Sequence, residues 1–243
     1  MLRAAAALAL AAALAVPGAA GARRRVPGAA LGAVVLEGER VPVRWIDGDT
    51  FRIQAGRSAG RSARLGGVNA LETYGPVHRI GRSGPRELLA LAKETARLAA
   101  SRTWRCRTEG LSDRYGRLLV HCDDAAEALV RAGHALVFAV DGPADERLLD
   151  AQRRARAARA GMWAGGTPAL VPTSLHSADE PGLGPSGAYD RVADARTGIA
   201  EARPHGRRYA PCEEVCLGEG DGRACLVHVP FHRRFRDRPR CLR

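Results

Sequence analysis

The order of short β-prone segments and amphipathic helices restricts the fold more than any other feature of this sequence. Three β-prone runs, AVVLEG, VPVRWI and DTFRIQ, come first, and RSARLGGV follows a glycine-containing turn. Apolar spacing then predicts a helix over residues 83–101, two strands (TWRCR and RLLVHC), a short helix, a strand-like run and a final helix over 144–163. This order predicts an α+β fold, mainly a five-stranded β barrel with about three packed helices.

The two ends of the chain differ in composition from this central part, which we assign to residues 33–164. A basic start, an apolar run too short to span a bilayer and a small-residue end predict a signal peptide over residues 1–22. An uncleaved N-terminal anchor is the alternative. Residues 23–32 are predicted to be a flexible basic spacer, 165–208 a disordered Pro/Gly-rich linker, and 209–243 a cysteine- and arginine-rich tail.

The chain is strongly basic, and almost all of its positive charge is arginine. Its formal net charge is +12, and Lys93 is the only lysine. Guanidinium groups form paired hydrogen bonds with phosphate oxygens and stay charged at any relevant pH. A positive surface of this kind favours polyanionic partners, of which nucleic acid is the most common.

Three short motifs combine acidic and basic side chains within the predicted barrel. They are Asp47-Gly48-Asp49-Thr50, Arg64 followed by Asn69-Ala70-Leu71-Glu72, and Asp113-Arg114-Tyr115-Gly116-Arg117. Cleaving a phosphodiester requires cationic groups on the phosphate oxygens and a group that orients water, and these motifs supply both. Each motif also has a structural explanation: Asp-Gly is a common hairpin turn, Arg64 and Glu72 suit solvated positions, and the third motif suits a turn.

Taken together, in this order and spacing, the motifs resemble the staphylococcal nuclease (thermonuclease) family. The resemblance rests on I-D-G-D-T, R-L-x-G-V and D-R-Y-G-R, and it runs from about Val41 to Trp163. It also covers the run EALVRAG and the closing helix that ends in Gly-x-Trp. The family resemblance implies an OB-fold barrel and a Ca²⁺-dependent nuclease that acts on DNA and RNA.

The resemblance also implies a calcium site. Asp49 lies where the family has a direct calcium ligand, and Asp47 where it has an outer-shell carboxylate. Asn69 and Ala70 complete the implied metal site, but the family has an aspartate at the position of Asn69. Because an amide oxygen coordinates Ca²⁺ without a negative charge, we expect a weakened affinity.

The remaining implied roles concern the substrate. Arg64 and Arg117 match the two arginines that hold the scissile phosphate, and Glu72 matches the carboxylate that acts as general base or orients water. Tyr115 matches a tyrosine of the nucleotide pocket, next to Arg114. The family's second pocket tyrosine has no counterpart here, and Phe138 is expected to replace it by stacking on a base. Leu71 stands where the family has a proline that stiffens the loop before Glu72.

Six cysteines in a chain with a predicted export signal indicate disulfides. Cys106 and Cys122 lie on the two strands that flank the third motif, so we expect a bridge that braces it; two buried free thiols are the alternative. Cys212, Cys216, Cys225 and Cys241 are expected to form two disulfides, with three pairings open. A zinc site with His228 and His232 is less compatible with export.

The leading hypothesis is therefore a secreted or periplasmic, monomeric, Ca²⁺-dependent nuclease that cleaves DNA or RNA with low sequence specificity, without stable insertion into a membrane. The alternatives are an impaired OB-fold module that binds nucleic acid or another polyanion without cleavage, and an interaction protein that uses the arginine-rich tail.

Overall fold

The computed structural model describes residues 29–74, 77–183, 187–234 and 237–242. The predicted signal peptide over residues 1–22 and most of the predicted spacer lie outside the described residues. The spacer prediction is wrong at its end, because the first strand already begins at Ala30. This strand starts early since Ala30 pairs with Trp45 of the neighbouring strand.

The first two thirds of the described chain alternate short strands with three helices. Their bounds, in chain order, are β1 Ala30–Leu36, β2 Glu39–Trp45, β3 Thr50–Ile53, β4 Ser62–Leu65, β5 Val68–Ala70, β6 Val77–Ile80, α1 Pro85–Ala100, β7 Thr103–Ser112, β8 Leu118–His121, α2 Asp123–Arg131, β9 Ala135–Val137 and α3 Glu146–Ala157. A 3-10 turn over Gly161–Trp163 follows α3.

Six of these strands form a closed barrel in the order β1-β2-β3-β4-β8-β7. The α+β barrel expected from the sequence is confirmed, but it has six strands rather than five. The turn after β3 reverses the chain and lets β4, Ser62–Leu65, pair with both β3 and β8. The interior is filled by apolar side chains from every strand of the barrel, with Trp45, Phe51 and Ile53 among the largest that are fully buried.

The short strands β5 and β9 pair with each other outside the barrel, and Asn69 lies opposite Leu136. The pairing holds β5 beside the turn between β2 and β3. The helix α1 begins after Gly84, whose N–H donates to the Glu87 side chain at 3.1 Å, and this capping contact fixes the start of the helix.

The prediction of a disordered linker over residues 165–208 is wrong. Strands β10 Leu170–Leu175, β11 Tyr189–Asp194 and β12 Ala200–Pro204 form an antiparallel sheet there. Its buried side chains are mostly small, such as Ala193, and they join a second core cluster that contains Trp163. Alanine, proline and glycine give no clear apolar alternation, and these strands are stabilised by packing on the preceding domain rather than by local propensity.

The last part of the described chain is a disulfide-linked hairpin joined to the barrel domain. β13 Glu214–Leu217 pairs with β14 Ala224–Val227, and β14 pairs with β6. The disulfides are Cys212–Cys241 and Cys216–Cys225, together with the expected Cys106–Cys122 beside the third motif. Three disulfides are typical of a protein in an oxidising compartment. Within the described residues, no helix is both long and apolar enough to cross a membrane.

Candidate active site

The turn between β2 and β3 buries two aspartates. Asp47 and Asp49 are 3% and 2% exposed. The Asp49 N–H donates to Asp47 Oδ1 at 3.2 Å, and the Thr50 hydroxyl donates to Asp49 Oδ1 at 2.9 Å. An ordinary hairpin turn leaves its aspartates in solvent, so the burial of both carboxylates sets this turn apart.

Gly48 separates the two aspartates because the turn leaves no space for a side chain. A Cβ built on Gly48 would lie 2.1 Å from Cγ2 of Thr95 and 2.9 Å from Cβ of Ala70. Thr95 belongs to α1, and its hydroxyl donates to the Leu91 carbonyl at 2.8 Å. The helix therefore packs directly against the acidic turn and limits its movement.

Arg64 on β4 points into the acidic turn. Thr50 lies opposite Arg64 in the strand register, which places the guanidinium beside Asp49, and the two form an ion pair. The same guanidinium donates to Asn69 Oδ1 at 2.9 Å and to the Val68 carbonyl at 3.2 Å. Burial lowers the pKa of Arg64 to about 10, so its charge persists at neutral pH.

The segment at the end of β5 completes the acidic turn. The Ala70 N–H donates to Asp49 Oδ2, and the Asn69 side-chain amide donates to the Ala70 carbonyl at 3.3 Å. Ala70 thus contacts Asp49 directly, and Asn69 is joined to it through Arg64. The Ala70 group that contacts Asp49 is the backbone N–H, whereas its carbonyl oxygen faces Asn69.

Glu72 follows this segment, and its Oε2 is buried and has no hydrogen-bond partner among the described residues. Burial and the charge of Asp47 raise the pKa of Glu72, while Arg234, Arg64 and Arg117 act in the opposite direction. Burial likewise raises the pKa of Asp47 to about 6. A buried oxygen of this kind needs a cation or a donor to offset its lost hydration.

Arg117 lies in the hairpin between β7 and β8, and it is held by its own loop. Its Nε donates to Asp113 Oδ2 at 2.7 Å, and Asp113 Oδ1 accepts backbone N–H groups from Tyr115 and Arg117. The guanidinium remains near enough for its charge to act on both Asp47 and Glu72. It is 28% exposed, and a phosphate could reach it from solvent.

The three residues expected to contact the substrate base are not gathered at the acidic turn. Tyr115 is 63% exposed at the hairpin tip, and Arg114 stacks on it with its guanidinium carbon 4.7 Å from the ring centre. Arg114 also contacts His176, 3.2 Å away. Phe138 is half-buried against the second core cluster, which leaves only part of its ring for stacking.

The sequence analysis missed Arg234, whose charge acts on Glu72, Tyr74 and His78. It lies in the C-terminal segment, far from the three motifs along the chain, and its Nε donates to the Val229 carbonyl at 3.2 Å. No local pattern could have identified it, because only the folding of the tail onto the domain brings it there.

The donor set around Asp49 suits a hard cation. Its groups are the carboxylates of Asp47, Asp49 and Glu72 and the amide oxygen of Asn69, all oxygen ligands of the kind Ca²⁺ prefers. The unpartnered Glu72 Oε2 is an oxygen that such a cation would satisfy. The carboxylates of Asp47, Asp49 and Glu72 are not as tightly grouped as a closed metal site requires. Among the described residues, the one group whose possible ligand atoms lie that close together is Glu214, Cys216 and Cys225, and its two cysteines form a disulfide.

Comparison with known protein families agrees with this geometry. Residues 62–165 match the family model described as staphylococcal nuclease homologue. No curated protein matches the chain. The matched range contains Arg64, Asn69, Glu72 and Arg117. It begins after the acidic turn and ends before the sheet of β10, β11 and β12.

Proposed function

We propose that this chain, which carries a staphylococcal nuclease homologue domain over residues 62–165, is an exported nuclease that hydrolyses phosphodiester bonds of DNA and RNA with Ca²⁺. The observation that carries the proposal is Arg64, a buried guanidinium that binds Asp49 and Asn69 and is close enough to feel the charge of Glu72, whose Oε2 has no partner among the described residues. A cation and a carboxylate at the same buried place are the two groups that phosphodiester hydrolysis needs.

The metal part of the proposal rests on the oxygen donors. Asp49 and Asn69 would hold the ion directly, with Asp47 in support and Ala70 closing the same side. A bound calcium ion neutralises charge on the phosphate oxygens. Arg64 contacts both Asp49 and Asn69, so a calcium ion held by these two oxygens would lie beside the Arg64 guanidinium.

The remaining proposed roles are substrate binding and activation of the attacking water. Arg64 and Arg117 bind the nonbridging phosphate oxygens, and the phosphate competes with Asp113 for Arg117. Glu72 orients the attacking water and accepts its proton as the water oxygen bonds to phosphorus and the P–O bond to the leaving group breaks. Arg114, Tyr115 and Phe138 contact sugar or base. Contacts that are mostly to phosphate give low sequence specificity.

Export is supported by two independent features. The first 22 residues have the composition of a signal peptide, and all six cysteines are paired in disulfides, which persist in oxidising compartments. We propose that the mature protein acts as a secreted or periplasmic monomer.

The experiment is hydrolysis of single-stranded DNA and RNA by the purified protein across a Ca²⁺ titration and in EGTA. We expect cleavage with Ca²⁺ and none with EGTA, and a fall of about 100-fold or more in kcat for Arg64→Ala and Glu72→Gln. Arg203→Ala, an exposed position on β12, serves as the charge-matched control. Folded protein that cleaves at no Ca²⁺ concentration rejects the proposal, and salt-sensitive binding without cleavage would identify a non-cutting binding module instead.

A further inference from the structure

A cavity of about 670 Å³ lies beside the candidate active site. Its walls are the loop around Glu72, the first turns of α1 and the C-terminal segment from Arg238 to Leu242. The C-terminal wall lies outside the family match. Cys241 is part of this wall, and its disulfide to Cys212 fixes the wall in place.

The interior of the cavity is mainly apolar. Leu71, Leu88, Leu89 and Leu242 contribute to its lining, together with the ring of Tyr74. Leu89 is 41% exposed although it is a large apolar side chain at the start of a well-packed helix. Ligand pockets of about 300–1,000 Å³ are typically lined by apolar and aromatic side chains with a few polar groups.

The rim of the cavity is positively charged. Arg82, Arg86 and Arg238 line it and are exposed. The ion pair of Arg82 with Asp221 is long, at 4.0 Å, and is thus weak. Glu87 also lines the cavity, and its carboxylate accepts the capping N–H of Gly84 at 3.1 Å. The three arginines outnumber this carboxylate, so the rim attracts an anionic group.

The cavity and the candidate active site share Glu72. This residue lines the cavity, and its buried Oε2 has no partner in the described part of the chain. Arg234 from the C-terminal segment acts on the same carboxylate. A ligand in the cavity would consequently lie next to the scissile phosphate rather than at a separate place on the surface.

We propose that this cavity is a subsite for one nucleotide of the substrate strand adjacent to the scissile phosphate. The base enters the apolar interior and packs against Tyr74 and the leucines, and the adjoining phosphate binds the rim arginines. The inference rests on the proposed nuclease function and extends it, because part of the subsite comes from the C-terminal segment that the family match does not include.

The first experiment measures binding of a fluorescent eight-nucleotide single strand in EGTA, with one abasic position moved along the strand. Removing the one base that packs against an aromatic ring is expected to weaken binding of the strand by about 5- to 100-fold. In the wild-type protein we therefore expect a single abasic position to weaken binding by this factor. In Leu89→Glu this difference between positions should disappear. This substitution adds a negative charge to the cavity at a partly exposed position. Leu31→Glu, at a leucine that is 73% exposed on β1, is the matched control and should retain the effect.

The second experiment tests the rim. Arg86→Ala should flatten the salt dependence of binding by about 0.7 in the slope of log affinity against log salt, since one phosphate contact is removed. Arg97→Ala, an exposed arginine at the other end of α1 that does not line the cavity, should leave the slope unchanged.

These results separate the subsite from catalysis. Cleavage is measured with Ca²⁺ and binding in EGTA, so a protein that binds with the expected positional effect and does not cut supports the subsite and rejects the nuclease. Equal effects of Leu89→Glu and Leu31→Glu, an equal loss at every abasic position, or no binding to the strand would each overturn the subsite, whatever the cleavage result.

Discussion

Asn69 supplies a neutral oxygen next to Asp49, and its Oδ1 already accepts a hydrogen bond from Arg64. A carboxylate at the same place would keep that contact as an ion pair and add a charged ligand. For Asn69→Asp we expect the Ca²⁺ concentration for half-maximal cleavage to fall by roughly tenfold. Titrating Ca²⁺ in the cleavage assay measures this shift.

Asn69→Ala is the control for this prediction, and it should raise the required Ca²⁺ because the oxygen is lost. An unchanged Ca²⁺ requirement in Asn69→Asp would show that Asn69 is not a ligand.

Gly48 is required by close packing rather than by turn geometry. We expect Gly48→Ala to lower the free energy of unfolding by about 1–3 kcal/mol, because its Cβ would overlap Thr95 Cγ2. Adding Thr95→Ser removes that methyl group, keeps the hydroxyl that bonds Leu91, and should restore part of the loss. Chemical denaturation measures all three proteins.

The matched control is Gly206→Ala, since a Cβ there meets nothing within 4 Å. A double variant no more stable than Gly48→Ala alone would argue against the overlap with Thr95.

The sequence indicates Asp47, Asp49, Arg64 and Glu72 as candidate site residues through its resemblance to the nuclease family, not through their spacing alone. It cannot show that Arg64 would bind Asp49, since that contact follows from the register of β4 on β3. It also cannot show the missing partner of Glu72 Oε2, which is a property of the packed structure.

At the scale of elements, a short series of polar side-chain contacts connects the hairpin that carries Arg117 to the sheet of β10, β11 and β12. Arg114 donates to His176 Nε2, and His176 Nδ1 lies 3.1 Å from Glu180 Oε2. Because Arg114 can only donate, His176 must carry its proton on Nδ1 in this arrangement. The chain of contacts orders the tip of the hairpin against β10 and β11.

This chain of contacts predicts a pH-dependent contribution to stability. Burial alone would raise the pKa of Glu180, but the hydrogen bond with His176 and the nearby His228, whose Nε2 lies 3.6 Å from Glu180 Oε1, lower it well below its usual value. A carboxylate with a lowered pKa stabilises the fold above its unfolded pKa, and that contribution is lost as the pH falls below about 4.5. Glu180→Gln should therefore cost about 2 kcal/mol at pH 7 and flatten the stability profile at acid pH.

Unfolding by denaturant at a series of pH values measures this effect. Glu201→Gln, the same substitution at an exposed position on β12, is the control. Parallel pH profiles for the wild-type protein and Glu180→Gln would refute the contribution of Glu180.

Elements of the barrel domain were predictable because their apolar residues recur at strand or helix spacing. The sheet of β10, β11 and β12 was not, because Ala193, Ala195 and Ala200 are too small to mark a strand. They become buried only against side chains of the preceding domain such as Met162 and Trp163.

At the scale of the whole molecule, the sheet of β10, β11 and β12 and the barrel domain share one core. Gln152 on α3 is 1% exposed and bridges the two parts. Its Oε1 accepts the Val137 N–H at 2.7 Å, and its Nε2 donates to the Ala195 carbonyl at 2.8 Å. The sheet of β10, β11 and β12 is thus built into the fold rather than attached to it.

A chain truncated after Gly166 is therefore expected to be less stable by at least about 3 kcal/mol. It loses one hydrogen-bond partner of Gln152 and exposes apolar side chains such as Ile80 and Trp163. Thermal unfolding and binding of an apolar dye measure this loss. A truncated chain that unfolds cooperatively at the temperature of the full-length protein would show that the barrel domain is independent.

The pairing of β14 with β6 also has a consequence for biosynthesis. It places Val227 beside Val77, so a strand made near the end of translation completes a sheet begun much earlier. Contacts between such distant parts of a chain form slowly, and this one cannot form until nearly the whole polypeptide has been made. The loop that carries Glu72 lies between β5 and β6. It acquires its final surroundings, which include Cys241 of the C-terminal segment, only at that late stage.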